Sequence, residues 1–269
     1  MWKAVALGLA LIWGAGAASA AESWPPGSAW LLGQARKQPD FAQAERLHPN
    51  FYPTRDGQSF IVVWQPQREA PKKWIVSLPG TGGFATKDLS IWYPHLQGRN
   101  VGVVNVQWWL GRGDRTEDYY TPSQIYREID LILARLGVAP GSALLHGFSR
   151  GSANIYAVAA LDRTKGHQYF STIIAHSGSA NEGYPPTQEI VRGAYGARPF
   201  AGTRWITVCG ERDSNPERDG CPAMRRTGTW IKGLGGTIGL AIEDPEYGHG
   251  ALHLNPINAR KALDDFLGR

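Results

Sequence analysis

Six short apolar runs, each closed off by glycine or polar residues, recur along the 269-residue chain and constrain its architecture more than any other feature. They lie at 74–78, 101–106, 142–146, 170–175, 205–209 and 237–242. Runs of this length without polar alternation are what strands buried on both faces look like. Between them lie segments with helical spacing. In 124–136, Ile125, Ile129, Leu131, Ile132 and Leu136 gather on one side. Pro122 stands near its start and Gly137 just past its end, as helix boundaries favour. Residues 152–161 are apolar and alanine-rich, and 257–267 close the chain as an amphipathic helix. Alternation of this kind predicts an α/β fold with a mostly parallel central sheet and helices on both faces. Upstream, a short helix is expected around 29–36. Phe51-Tyr52 and Phe60-Ile61-Val62-Val63-Trp64 flank Asp56-Gly57, the pattern of an N-terminal antiparallel hairpin. With no repeat, low-complexity tract or linker, one domain over residues 22–269 is expected.

The first twenty residues read as a secretory signal peptide rather than as part of the fold. Lys3 supplies the positive charge, 4–17 is apolar, and Ala18-Ser19-Ala20 is a small-x-small cleavage site. The apolar run contains three glycines and is short for a spanning helix, which needs about 20 residues. A periplasmic or secreted mature chain, not stably inserted in a membrane after cleavage, is therefore expected. In an oxidising compartment the two cysteines, Cys209 and Cys221, are expected to pair across a polar loop containing proline and glycine. The 42% of hydrophobic residues excludes a disordered chain. The net charge of +5 comes from scattered lysines and arginines. It favours approach to anionic surfaces or substrates, but no nucleic-acid reading motif accompanies it.

Gly147-Phe148-Ser149-Arg150-Gly151 stands between the 142–146 run and the alanine-rich helix. This is G-x-S-x-G in strand–turn–helix context, where the chain turns so sharply that the serine takes a strained conformation. Side chains at the flanking positions would collide with neighbouring elements, so glycine is required there. Ser149 is thereby held out above the sheet edge, at a helix N-terminus that favours developing negative charge.

From 56–57 to the last helix the chain resembles the α/β-hydrolase superfamily. The resemblance rests on the Gly147–Gly151 turn, the Pro79-Gly80-Thr81-Gly82-Gly83 loop, and a downstream acid and histidine. Arg150 and Ser152, where small residues are more usual, leave the subfamily open. The resemblance implies a serine hydrolase with an oxyanion hole made by the amide of Arg150 and an amide of the 79–83 loop, Thr81 first and Gly82 second. It implies the order serine, acid, histidine. Asp213, just past the 205–209 run, is the expected acid, with Glu211 and Asp219 as alternatives. His249, flanked by Gly248 and Gly250, is the expected base, whereas His253 lies nearer the final helix and reads as structural. His146 and His176 read as packed histidines. The implied reaction is cleavage of carboxylic esters through an acyl-enzyme, needing no metal or cofactor. A peptidase or amidase on the same residues, or a binding protein that has kept only the fold, are the alternatives. Trp108 and Trp109 follow the 101–106 run and are candidates for substrate contact. The segment between the 170–175 and 205–209 runs is too short for a large lid, so an open cleft for small or polymeric esters is expected.

Overall fold

The computed structural model describes residues 24–268, so the expected signal peptide lies outside the described residues. Eight strands form one sheet: β1 (Asn50–Pro53), β2 (Phe60–Trp64), β3 (Lys73–Leu78), β4 (Val101–Val106), β5 (Ala143–Phe148), β6 (Phe170–His176), β7 (Arg204–Gly210) and β8 (Thr237–Asp244). Their spatial order is β1-β2-β4-β3-β5-β6-β7-β8. β2 pairs antiparallel with β1 and with β4, and every other pairing is parallel. The expected hairpin is present, with Gly57 at φ 71° in its connection, a left-handed value that glycine adopts without strain. Six residues separate the paired ends Pro53 and Phe60, so the connection is longer than a two-residue turn.

Nine helices are described: α1 (Pro26–Ala35), α2 (Phe41–Glu45), α3 (Ala85–Trp92), α4 (Pro122–Arg135), α5 (Arg150–Lys165), α6 (Pro185–Val191), α7 (Cys221–Gly233), α8 (Ala251–Leu254) and α9 (Pro256–Leu267). None is long and apolar enough to cross a membrane among the described residues. The central strands alternate their side chains between two cores. Trp74, Val76, Leu145 and Ile173 join α4, α5 and α7 on one face; Ile75, Leu144, Ile174 and Ile206 join α1, α3 and α9 on the other. The runs of β3 to β7 lack polar alternation because both faces are covered, whereas the run at 237–242 forms β8, an edge strand that stays largely half-buried or exposed because no strand lies beyond it. α4 starts two residues before the expected segment, with Thr121 as its N-cap: Thr121 Oγ1 accepts from the Gln124 amide and Gln124 reaches back to the Thr121 amide.

Strand order places the site. The chain leaves β3 toward β4 on one side and β5 toward β6 on the other, which opens a crevice at the C-terminal ends of β3 and β5. Beneath it lies a buried polar layer. Ser77 on β3 donates to Asp88 of α3, and its hydroxyl also meets His146 Nδ1 at 2.8 Å. His146 packs against the rings of His176 and His253. Burial raises the Asp88 carboxyl to about 7 and lowers His253 to about 3. It holds His146 and His176, which are fully enclosed, well below the ordinary imidazole value.

Cys209 at the end of β7 and Cys221 at the start of α7 form the expected disulfide. It closes the loop that carries Asp213. By chain entropy a loop of this length is worth about 3 kcal/mol. Reduction, or Cys209→Ser with Cys221→Ser, is therefore expected to lower Tm by roughly 5–10 °C in a calorimetric scan. The buried layer gives a second expectation. As the pH falls through the ordinary imidazole value of about 6.5, the unfolded chain takes up protons on three imidazoles that burial keeps neutral in the folded chain, while folded Asp88 keeps a proton that the unfolded carboxyl releases. Three imidazoles outnumber one carboxyl, so the unfolded state binds more protons and stability falls on acidification. The urea midpoint should drop between pH 6.5 and 5; a rise would mean that Asp88 outweighs the histidines.

Candidate active site

Ser149 sits at φ 53° and ψ −119°, between the last residue of β5 and the first of α5. Strained non-glycine residues of this kind cost about 1–3 kcal/mol and persist only where neighbours hold them. The Ser149 amide donates to His176 O at 2.8 Å, and its carbonyl accepts from Ala153 at 3.1 Å. The flanking glycines are needed for space. A Cβ at Gly151 would lie 2.3 Å from Leu78 O, and one at Gly147 would lie 2.6 Å from Gly151 O. β3, β5 and α5 therefore lock together at the turn.

The histidine and acid arrive from the ends of the next strands. His249 Nε2 lies 2.8 Å from Ser149 Oγ, and its Nδ1 lies 2.8 Å from Asp213 Oδ2. A carboxylate only accepts, so Nδ1 carries the proton and the Nε2 lone pair faces the serine hydroxyl. The imidazole is 35% exposed and the Asp213 side chain 1%, so the ring is partly open to solvent while its partner is sealed from water. Asp213 Oδ1 also accepts from the Asn215 amide at 2.8 Å, which fixes the carboxylate in its loop.

The loop bearing His249 is organised by Asp244, at the end of β8. Its Oδ1 accepts from the amides of Glu246 and Tyr247, and its Oδ2 from the side chains of Asn255 and Asn258. Burial pushes this carboxyl up, but the four hydrogen bonds outweigh it and hold it below the ordinary value. On the far side of His249, the Leu252 amide donates to His176 Nε2 at 3.1 Å. The loop is thus pinned at both ends by buried groups whose protonation is set by their surroundings.

The 79–83 loop runs alongside the serine. A Cβ at Gly80 would lie 3.2 Å from Ser149 Cβ. The Gly82 amide is engaged by Tyr119 Oη at 3.2 Å. The amides of Thr81 and Arg150 donate to no acceptor among the described residues, and both residues line the cavity of about 340 Å³ that contains Ser149. Two free amides beside a serine hydroxyl are the arrangement that an oxyanion would require.

Other sequence candidates fall elsewhere. Glu211 and Asp219 make no hydrogen bond to His249; Asp219 Oδ2 is held by Arg218 at 2.7 Å. His253 lies in the buried layer under the ring of Phe148. Trp108 is 1% exposed and braces the 79–83 loop by donating from Nε1 to Pro79 O at 2.9 Å. Trp109 packs edge-on against Phe84 and donates to Gly113 O at 3.0 Å. Neither tryptophan lines the cavity of Ser149. Both follow β4; the Trp108 ring turns into the core, and Trp109 is half-buried beside it. Sequence reasoning did not reach the network of Asp114, Tyr119 and Arg150. The Arg150 guanidinium pairs with Asp114 and lies 4.1 Å from the Tyr119 ring centroid, while Tyr119 Oη donates to Asp114 at 3.0 Å. Ser152, the other unusual residue of the motif, donates to Gly178 O at 2.8 Å and ties the opposite wall to α5.

Two groups of side chains bring ligand-type atoms within 4.8 Å of one another among the described residues. In the first, His146, His176 and His253, the Leu252 amide occupies the Nε2 lone pair of His176, so Nδ1 carries the proton and has no lone pair to offer. In the second, Asp213 and His249 bind each other and Arg218 holds Asp219. Neither group is arranged as a vacant set of ligands.

No protein-family model matches the sequence, and no curated protein matches it. Solved structures do. A hyperthermophilic esterase from Pyrobaculum calidifontis superimposes with a TM-score of 0.59 at 14% identity, over 87% of this chain and 92% of that one. One of two fungal esterases from Rhizomucor miehei gives 0.60 at 13%, over 90% and 95%. EstE1, a thermostable carboxylesterase from a metagenomic library, gives 0.58 at 17%, over 87% and 95%. At these identities the likeness is one of backbone architecture, and what it establishes is that this chain has the α/β-hydrolase fold.

Proposed function

We propose that the protein is a serine hydrolase that cleaves carboxylic esters, with Ser149 as nucleophile, His249 as general base and acid, and Asp213 as the acid that orients it. The observation that carries the reading is the His249 ring, bonded to Ser149 on one side and to Asp213 on the other. In this mechanism Nε2 takes the Ser149 proton as Oγ attacks the ester carbonyl. Asp213, shut off from water, stabilises the imidazolium that forms. The oxyanion is held by the Thr81 and Arg150 amides, each worth about 3 kcal/mol in the transition state. His249 returns the proton to the leaving alcohol, and water activated by the same ring clears the acyl group. Esters rather than amides are favoured because solved structures of this fold that match the chain are named as esterases. The disulfide supports a site of action outside the cytoplasm.

Ser149→Ala should lower kcat for 4-nitrophenyl acetate by at least ~10³-fold with an unchanged circular-dichroism melt. It should also abolish labelling by a fluorophosphonate probe; a folded wild-type chain that resists the probe overturns the proposal. Asp213→Asn should cost roughly 10³-fold or more, because an amide side chain can present an N–H to Nδ1 and select the wrong tautomer. A loss under tenfold would move the orienting role to Asp219, which the corresponding Asp219→Asn assay would then show. Faster turnover of 4-nitroacetanilide than of 4-nitrophenyl acetate would replace the esterase by an amidase.

A further inference from the structure

The cavity at Ser149 does not end at the nucleophile. It adjoins a second cavity of about 400 Å³, and the two share Ser179, Asn181 and Arg218 in their lining. Together they form a cleft that leaves Ser149, passes Arg218, and reaches Trp230 on α7.

The chemistry of the walls restricts what this cleft takes. Three arginines line it, and each has a carboxylate partner: Arg150 with Asp114, Arg218 with Asp219, and Arg226 with Glu217 at 2.8 Å. Tyr184 and Asn181 add polar groups near the nucleophile. A long acyl chain laid here would strip water from these groups and return no hydrogen bond, at a cost for each group left unpaired. An anion would meet guanidinium groups already neutralised by neighbours. A hydroxyl-rich ligand suits the lining, since each hydroxyl can accept from an arginine while donating to the carboxylate beside it.

An extended peptide finds less. Three backbone amides along this wall are committed: Ala180 N donates to Thr227 Oγ1 at 3.0 Å, Gly183 N to Asn181 Oδ1 at 2.7 Å, and Tyr184 N to Asn181 O at 2.9 Å, so no continuous edge is left for a strand to pair with. At the far end Trp230 is half-buried, braced edge-on against Tyr156 and packed on Phe200. A rigidly held indole in a polar cleft offers an apolar surface of the kind that the C–H face of a sugar ring covers.

We propose that the substrate is an ester carried on an oligosaccharide: the acylated sugar occupies the Ser149 cavity, and the following sugars run past Arg218 to a subsite at Trp230. This rests on Ser149 being the nucleophile. Ser149 Oγ bonds the acyl carbon as the bond from that carbon to the sugar oxygen breaks. The sugar leaves with its hydroxyl restored by the proton from His249, and water releases the carboxylic acid.

The test is a kcat/KM series on mono-O-acetylated glucose, cellobiose and cellotetraose, beside 4-nitrophenyl acetate, 4-nitrophenyl decanoate and an acetylated serine peptide. Values should rise at least about tenfold from glucose to cellotetraose, through a falling KM, as the second cavity fills. Arg226→Ala, a change at an exposed position, and Trp230→Ala should each flatten that rise. They should lower the cellotetraose value about tenfold more than the 4-nitrophenyl acetate value. A flat series with active 4-nitrophenyl acetate turnover overturns the saccharide subsite and leaves the nucleophile standing. Preference for the decanoate or for the peptide ester overturns it in favour of a lipid or peptide substrate. A folded chain inactive on every ester and unlabelled by fluorophosphonate removes both proposals.

Discussion

The left-handed turn at Ser149 is the constraint around which the rest of the structure is arranged. A serine at φ 53° and ψ −119° relaxes unless the chain on both sides is held, and the holding is done by close backbone packing. Gly151 presses against the Leu78 carbonyl of β3, and Gly178 lies so near Ser149 O that a Cβ there would sit at 2.1 Å. Ser152 and Tyr156, on the first turns of α5, both donate to the Gly178 carbonyl. The turn is therefore clamped between the ends of β3 and β6. Those strand ends also carry the loop beside the serine and the near wall of the cleft. Strain at one residue and placement of the walls are the same packing problem.

The His249 arm answers a different difficulty. A loop beyond the last strand of a sheet has few packing partners, yet the ring has to hold two hydrogen bonds of 2.8 Å. The structure supplies the missing restraint through buried polar groups. Asp244 gathers two amides before the ring, and His176 takes one amide after it. His176 can do so only as neutral imidazole, a state that burial enforces. Its neighbours His146 and His253 lie in the same enclosed layer, so none of the three competes with His249 for a proton near neutral pH.

What could be read from sequence follows from how local each signal is. The inner strands β3 to β7 were legible because burial on both faces leaves an uninterrupted apolar run. The Gly147–Gly151 turn was legible because its steric demands fall within five residues. Asp213 and His249 followed from chain order and their place after strands; only the three-dimensional structure could bring them to one ring. For Trp108 and Trp109, strand position fixes where the backbone emerges and not which way the side chain turns. Trp108 satisfies its N–H on Pro79 O, which draws the ring inward. Helices α3 and α7 escaped notice because α3 is short and polar residues interrupt both. The pairing of Arg150 with Asp114 joins positions 36 residues apart through loops that carry no periodic signal.

The same loop that orients the histidine also shapes the cleft, and this accounts for where the covalent bond lies. Residues 210–220 contribute Asp213 to the ring on one side, and Glu217, Arg218 and Asp219 to the cleft lining on the other. Within it, Arg218 O accepts from Ser179 Oγ at 2.6 Å, which joins it to the wall that follows β6. A polar loop of this kind has little apolar surface to bury, so packing alone would leave it loosely held. The Cys209–Cys221 bridge ties its two ends, one on β7 and one on α7, which are themselves anchored in the core. Fixing those ends restrains the carboxylate behind His249 and Arg218 of the proposed cleft together. A change that loosens the loop should therefore disturb turnover and ligand selection in step rather than separately.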